Sequence, residues 1–159
     1  MYAVEEFDKQ KSKVMNYIMY KKRTEQEVKN KFKSTIQSEL LCDIIEYVKE
    51  AGYLDDSDYI KRAVSEYMTL KNLSIKEITY KLYAKGVDKD KLDDYIYANK
   101  DELEDYEKKS ASVIYNKKSS SLTEDEIKIY LMKKGYKQDI VKEVVECKTY
   151  WHYKQINIQ

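Results

Sequence analysis

Proline is absent from this sequence of 159 residues, and glycine occurs only three times. Turn-rich sheet proteins depend on these two residues, and phosphate-binding loops need several closely spaced glycines. Both classes are therefore excluded, whereas helices disfavour glycine and proline in their interiors. Because 42% of the residues are hydrophobic, we expect a folded core, and we predict an all-α protein.

Histidine occurs once, as His152, and cysteine twice, as Cys42 and Cys147. A single histidine excludes multi-histidine metal sites and catalytic triads with a histidine base. The cysteines fit no zinc or redox spacing, so we predict reduced thiols in the core of a cytosolic protein. No set of nucleophile, base and orienting group can be assembled. We therefore predict a protein that is not an enzyme and that needs no metal or other cofactor.

Long hydrophobic runs are missing as well. No stretch approaches the ~18 apolar residues that a membrane-spanning helix requires, so we expect a cytoplasmic protein without membrane contact. The 30 basic and 29 acidic residues leave a net charge of +1. This balance provides no overall attraction to nucleic acids, and binding to a polyanion would need a local basic patch.

One motif recurs at intervals of about 50 residues, with copies that begin at Thr24, Ser74 and Thr123. Each copy has a Glu three residues after the Ser or Thr, which is the spacing of a capping box. Each copy therefore predicts the start of a helix. An apolar pair at i and i+4 follows every box and predicts a buried stripe. The pairs are Val28 and Phe32, Ile78 and Leu82, and Ile127 and Leu131.

The three glycines fall where helices of such a repeat would end. Gly86 and Gly135 occupy equivalent positions after the second and third boxes, and Gly52 closes the first repeat. Glycine at these places predicts left-handed helix caps. The pattern as a whole predicts three tandem three-helix repeats that stack into an elongated, curved array.

We place the three repeats at residues 1–54, 55–102 and 103–149. Residues 150–159 then form a C-terminal tail, in which Trp151 could pack back onto the last repeat. Stacked arrays of this kind usually bind something long. The pattern alone does not identify that partner.

Three segments resemble, in the same order, motifs of the RecX family of bacterial recombination regulators. Residues 21–32 read Lys-Lys-Arg-Thr-x-x-Glu-Val-x-x-Lys-Phe, and residues 52–59 read Gly-Tyr-Leu-Asp-Asp-x-x-Tyr. Residues 78–87 read Ile-x-x-x-Leu-x-x-Lys-Gly-Val. The similarity extends over nearly the whole chain.

The resemblance implies a non-enzymatic regulator of the RecA recombinase. Such a protein acts in homologous recombination, DNA repair and the SOS response. It lies in the groove of the RecA filament on single-stranded DNA and limits filament growth, ATPase, strand exchange and co-protease activity. We expect a monomer with RecA filaments as its partner, and a weak direct contact with DNA stays open.

The sequence also departs from the family pattern. Ala63 and Tyr67 stand where the family often has Trp and then Arg, and Lys81 stands where Glu is common. Arginine is frequent on the family surface, but here it occurs only as Arg23 and Arg62. Lysine lacks the planar, bidentate guanidinium, so individual contacts to carboxylates or phosphates could differ.

Two groups of basic residues are candidates for binding RecA filaments or DNA. The first precedes the Thr24 box and continues into the next helix, and the second belongs to the middle repeat. A solvated lysine-rich surface is the alternative for both groups. The candidates are Lys21, Lys22, Arg23 and Lys31 in the first group, and Lys61, Arg62, Lys71, Lys81 and Lys85 in the second.

The 17 tyrosines could stack on nucleic acid bases. Most of them, including Tyr17, Tyr47, Tyr67 and Tyr95, follow the apolar stripes, so we predict that they belong to the core with the hydroxyl at its edge. Two other functions stay open. The chain could be a helical DNA-binding protein that reads bases from an exposed helix, or a generic helical-repeat scaffold for peptides.

Overall fold

The computed structural model describes the backbone of residues 1–70 and 72–156, and the side chains among them up to residue 148. Within these ranges the chain forms nine helices and no strand, which confirms the predicted all-α class. The helices are α1 (Val4–Tyr20), α2 (Glu25–Phe32), α3 (Ser38–Glu50), α4 (Asp56–Leu70), α5 (Ile75–Ala84), α6 (Lys89–Ala98), α7 (Lys100–Lys118), α8 (Glu124–Lys133) and α9 (Gln138–Ile156).

Capping boxes begin α2, α5 and α8, as the repeated motif predicts. The Thr24 hydroxyl accepts a hydrogen bond from the backbone N–H of Glu27 at 3.1 Å. The Thr24 N–H in turn donates to the Glu27 carboxylate at 3.0 Å. The same reciprocal pair of bonds forms between Ser74 and Glu77 and between Thr123 and Glu126. Each box satisfies two backbone N–H groups that the first turn would otherwise leave without a partner.

The chain divides into two compact units. The first comprises Met1–Ala63 and Lys81–Tyr95, and the second comprises Val64–Tyr80 and Ile96–Gln159. In the first unit α1, α2 and α3 pack against one another, and in the second α7, α8 and α9 do so. Helices α4, α5 and α6 contribute residues to both units. The repeat boundaries at residues 54, 102 and 149 stay a prediction.

Each unit has a hydrophobic cluster built on the predicted stripes. Val14, Val28 and Ile44 lie fully buried in the first cluster, and Ala111 and Leu131 lie fully buried in the second. All six residues predicted for the stripes are at most 8% exposed: Val28, Phe32, Ile78, Leu82, Ile127 and Leu131. The i, i+4 spacing therefore identified the core-facing side of α2, α5 and α8 correctly.

The prediction of core cysteines is wrong, because Cys42 and Cys147 are both exposed free thiols. Helix α3 turns Leu41, Ile44 and Val48 toward the core. This periodicity leaves Cys42 on the opposite face, in contact with solvent. A residue type that is usually buried thus follows the helical register here rather than its own preference.

The prediction for the tyrosines is wrong in part. Tyr47 is 45% exposed, whereas Tyr17 packs half-buried against the first cluster, and Tyr67 and Tyr95 are half-buried. Tyr115 is buried in the second cluster. The half-buried positions suit a ring whose hydroxyl needs water or a polar partner.

Trp151 and His152 lie on α9, outside the side chains that the structure describes. Helix α9 itself continues to Ile156. Among the described residues no helix is both long enough and apolar enough to cross a membrane.

Candidate partner-binding surface

The first group of basic candidates lies on the short link between α1 and α2. Helix α1 ends at Tyr20, and Lys21 adopts an extended conformation with φ −156° and ψ 142°. Thr24 is fully buried as the cap of α2. The link between these two fixed points leaves Lys21 and Lys22 exposed and Arg23 half-buried.

Arg23 is held by an aromatic ring. Its guanidinium carbon lies 4.3 Å from the centre of the Tyr17 ring, and the Lys31 ammonium lies 5.9 Å from the same ring. Tyr17 meets Phe32 edge to face at a centroid distance of 5.6 Å. Cation–π contacts of this kind stabilise by ~0.5–2 kcal/mol and restrict the arginine side chain. Two candidates, Arg23 and Lys31, are therefore brought to one aromatic surface.

Asp58 on α4 connects the first group of candidates with the second. Its Oδ2 atom accepts a hydrogen bond from Arg62 Nε at 2.8 Å and lies 3.7 Å from Lys22 Nζ. Exposed ion pairs contribute only ~0–1 kcal/mol to stability. Their importance here is geometric, because a shared carboxylate places Lys22 beside Arg62.

Lys85 reaches the same region from the end of α5. The Thr24 hydroxyl donates a hydrogen bond to the Lys85 carbonyl at 2.7 Å, and Lys85 Nζ lies 3.9 Å from Glu27. Gly86 follows with a φ of 74°. A Cβ atom at Gly86 would lie 2.5 Å from the Cβ of Gln26, so this close approach of α5 to α2 requires glycine.

Lys61 and Lys81 are exposed in the first unit as well, and no contact among the described residues connects them with the six cations described above. Lys71 lies outside the described residues. We call the eight described candidates the unit-1 basic surface: Lys21, Lys22, Arg23, Lys31, Lys61, Arg62, Lys81 and Lys85. That this surface binds a partner stays a prediction.

A small cavity of about 240 Å³ lies elsewhere in the first unit. The Asp56 carboxylate at its edge accepts a hydrogen bond from the Glu25 N–H at 3.0 Å, and burial raises the pKa of Asp56. Burial also acts to raise the pKa of Glu25, but hydrogen bonds from Lys29 and Lys49 outweigh it and lower that pKa. Acidic and basic side chains both line this cavity and pair with each other. The cavity therefore has no cluster of like charges that would attract an ion.

No group of three His, Cys, Asp or Glu side chains among the described residues could hold a metal ion. Two residues that organise the basic surface, Tyr17 and Asp58, were not predicted for it from the sequence. The i, i+4 spacing of Asp58 and Arg62 was a readable signal for an ion pair on one helix. No comparable signal indicated that Tyr17 stacks on Arg23.

Comparisons with known proteins identify the family and the fold. No family model matches the sequence. Regulatory protein RecX of Finegoldia magna is 31% identical over 141 residues, which are 82% of this chain and 67% of that protein. The chain belongs to the RecX family of regulatory proteins.

A second RecX protein, from Clostridium botulinum strain Eklund 17B, is 34% identical over 78% of this chain and 61% of its own length. The crystal structure of RecX from Lactobacillus salivarius superposes with a TM-score of 0.79 at 22% identity, over 91% of this chain and 97% of that one. This likeness shows that the chain has the RecX fold. The chain spans between about half and two thirds of the length of the first curated relatives it matches.

Proposed function

We propose that this RecX-family chain is a non-enzymatic regulator of RecA in homologous recombination and the SOS response. It binds RecA filaments on single-stranded DNA in their groove and inhibits filament growth, ATPase, strand exchange and co-protease activity. Membership in the RecX family supports the regulatory role. The three sequence motifs that resemble the family support RecA as the partner.

The binding face in this proposal is the unit-1 basic surface. The observation that carries it is the shared contact of Lys22 and Arg62 with Asp58, since it joins the two groups of candidates. With a net charge of +1, the protein as a whole exerts little attraction on a polyanionic filament. A local cluster of cations can still orient the protein during the encounter and suppress wrong partners.

A four-fold substitution tests this surface. Replacing Lys61, Arg62, Lys81 and Lys85 by alanine should abolish inhibition of the RecA ATPase on single-stranded DNA, with helicity and melting temperature maintained. The matched control replaces four other exposed lysines of the same unit and removes the same charge. These lysines are Lys9, Lys13, Lys33 and Lys89.

The control variant should inhibit the RecA ATPase to the same extent as the parent protein. Equal inhibition by the test variant would show that this part of the surface is not the binding face, and Lys21, Lys22 and Arg23 would be replaced next. Equal loss in both variants would indicate that only total charge matters.

Sedimentation of the same variants with RecA filaments and with bare DNA distinguishes this function from the alternative, a helical DNA-binding protein. A filament binder co-sediments with RecA on single-stranded DNA and has a much weaker affinity for bare DNA. A competitor for DNA protects free single strands at the inhibitory concentration, and excess DNA then restores the filament. A generic peptide-binding scaffold would do neither.

A further inference from the structure

The guanidinium of Arg23 is not paired in the way that its neighbours on the unit-1 basic surface are. Lys22 and Arg62 share the carboxylate of Asp58. Arg23 forms no hydrogen bond and no ion pair within the described part of the chain, and its contact there is with the Tyr17 ring. Packing on Tyr17 accounts for the half-buried position of Arg23 but leaves the donors of the guanidinium unused.

The unused donors of Arg23 are of two kinds. A guanidinium presents five N–H groups in one plane. The Nε atom is buried and has no hydrogen-bond partner among the described residues, and unpaired buried donors are rare in proteins. The two Nη groups are also without a hydrogen bond in the described part of the chain but are not buried, so they face solvent. An acceptor outside the chain therefore reaches Arg23 at the Nη end.

The side chain of Arg23 is held in place before any partner arrives. Its guanidinium carbon lies 4.3 Å from the centre of the Tyr17 ring. Tyr17 in turn packs against the first hydrophobic cluster and meets Phe32 at an interplanar angle of 88°. The next residue, Thr24, is a fully buried helix cap. A side chain that is fixed in this way loses little freedom when it binds.

The charges on either side of Arg23 favour a single carboxylate over a chain of phosphates as its acceptor. After Arg23, the Glu27 carboxylate accepts the Thr24 N–H at 3.0 Å. Before it, Lys22 lies 3.7 Å from Asp58. A nucleic acid backbone would bring several negative charges close to these two carboxylates, and like charges repel. One carboxylate adds one charge and accepts two parallel hydrogen bonds from a guanidinium.

We propose that Arg23 binds one Asp or Glu carboxylate of the partner protein through its two Nη groups, and that Tyr17 is the positioning residue that holds the guanidinium for this contact. The assignment rests on the proposed function, in which the partner is RecA. The ammonium of lysine is a point charge without a planar fork. Arg23 therefore provides specificity for a carboxylate, and the surrounding lysines provide attraction at longer range.

Co-sedimentation with RecA filaments on single-stranded DNA tests both roles. Arg23→Lys keeps the charge but removes the fork, and it should weaken binding about tenfold. Tyr17→Leu should weaken binding as well, whereas Tyr17→Phe keeps the ring and should bind like the parent. The matched control is Tyr47→Leu. Tyr47 also has a cation on its ring, Lys11 at 4.9 Å, but it lies outside the basic surface, so this variant should bind like the parent.

Nuclear magnetic resonance of the free protein shows whether Tyr17 acts through the position of Arg23. The chain has two arginines, Arg23 and Arg62, so its Nε–Hε spectrum contains two side-chain signals. The ring current of Tyr17 should displace the Arg23 signal from the position of a solvated arginine. Tyr17→Leu should abolish this displacement and Tyr17→Phe should keep it. An unchanged Arg23 signal in Tyr17→Leu would overturn the positioning role.

A carbodiimide, which couples a carboxylate to an amine in direct contact, identifies the acceptor. In the complex of Arg23→Lys with RecA filaments, the ammonium at position 23 should become joined to an Asp or Glu of RecA, which mass spectrometry of the digested product detects. Absence of a product at position 23 would overturn the proposal.

Two other results of the binding series would also overturn the proposal and leave the proposed function intact. The first is equal binding of RecA filaments by Arg23→Lys and the parent. The second is an equal loss of affinity for filaments and for bare single-stranded DNA, which would assign Arg23 to a phosphate. If the parent itself does not bind RecA filaments, the proposed function is refuted and the role of Arg23 with it.

Discussion

Glu107 illustrates how a single residue connects local structure with stability. Its side chain is 1% exposed, and one carboxylate oxygen accepts the Ile75 N–H at 3.1 Å. The other oxygen has no hydrogen-bond partner among the described residues. Burial raises the pKa of Glu107 above its ordinary value, against the opposing effect of that hydrogen bond. The neutral form is therefore favoured by folding, and the charged form is disfavoured.

The sign of the resulting pH dependence follows from linkage. A carboxyl whose pKa is raised on folding stabilises the protein below its unfolded pKa of about 4.3. That contribution is lost as the pH rises from there through the raised folded value. Each unit of pKa shift corresponds to about 1.4 kcal/mol. The contribution of Glu107 alone therefore makes the protein less stable at neutral pH than at mildly acidic pH.

Glu107→Gln should remove this dependence. Glutamine keeps an oxygen that accepts the Ile75 N–H but never ionises, so the variant gains stability relative to the parent as the pH rises. Urea unfolding at intervals between pH 4 and pH 8 measures the difference. The control Asp105→Asn changes an exposed carboxylate on the same helix beyond its first turn, and its difference from the parent should change much less with pH. If the unfolding free energies of the parent and of Glu107→Gln changed in parallel over this pH range, the prediction would be refuted.

At the scale of elements, the capping boxes at Thr24 and Ser74 both begin helices and hold them to their neighbours. Thr24 accepts from Glu27 N–H within α2 and donates to the Lys85 carbonyl at the end of α5. The left-handed glycine that follows Lys85 ends α5 and lets it approach Gln26. Helix termination and helix docking therefore depend on the same residue.

Two glycine substitutions separate these roles. Gly52 and Gly86 have similar φ values, 78° and 74°, but a Cβ at Gly52 would have nothing within 4 Å whereas one at Gly86 would meet Gln26. Gly52→Ala should therefore cost about 1–2 kcal/mol, the cost of a left-handed residue with a side chain. Gly86→Ala should cost clearly more, because the Cβ of Gln26 is too close to its backbone to swing aside. Denaturant unfolding of both variants decides the point, and equal losses would exclude a packing role for Gly86.

At the scale of the whole molecule, charge is balanced overall and uneven locally. Many of the lysines pair with carboxylates across and along the helices, as Lys29 and Lys49 do with Glu25. On the unit-1 basic surface, Lys21, Lys61 and Lys81 are exposed and form no ion pair within the described part of the chain. A protein of this kind is attracted to a polyanion through one face rather than through its net charge.

Inhibition of RecA should accordingly weaken as the salt concentration rises. The Debye length falls from about 10 Å at 0.1 M salt to about 3 Å at 1 M, which screens exposed cations first. ATPase inhibition should be measured over the range of salt in which RecA filaments alone persist. The four-fold alanine variant of the basic surface should have lost this salt dependence together with its inhibition. Salt-independent inhibition by the parent would point to an apolar contact instead.

The sequence alone determined those features that arise from residues close together in the chain. Capping boxes at Thr24, Ser74 and Thr123, apolar pairs at i and i+4, and glycines at helix ends are local patterns, and each predicts the conformation of its own segment. The absence of proline and the scarcity of glycine excluded turn-rich sheet folds. The same patterns identified all six stripe residues of the core, because helical register determines which side chains share a face.

Tertiary structure decided which polar groups meet. The contacts of Thr24 with Lys85, of Ser74 with Lys134 and of Lys22 with Asp58 join residues between about 36 and 61 positions apart, and no local pattern encodes such pairs. It also placed Cys42 in solvent and Glu107 in the interior, against the usual preferences of both residue types. The physical reason is that burial depends on the neighbours that packing brings to a site, and a polar group can be buried wherever one of those neighbours supplies a hydrogen bond.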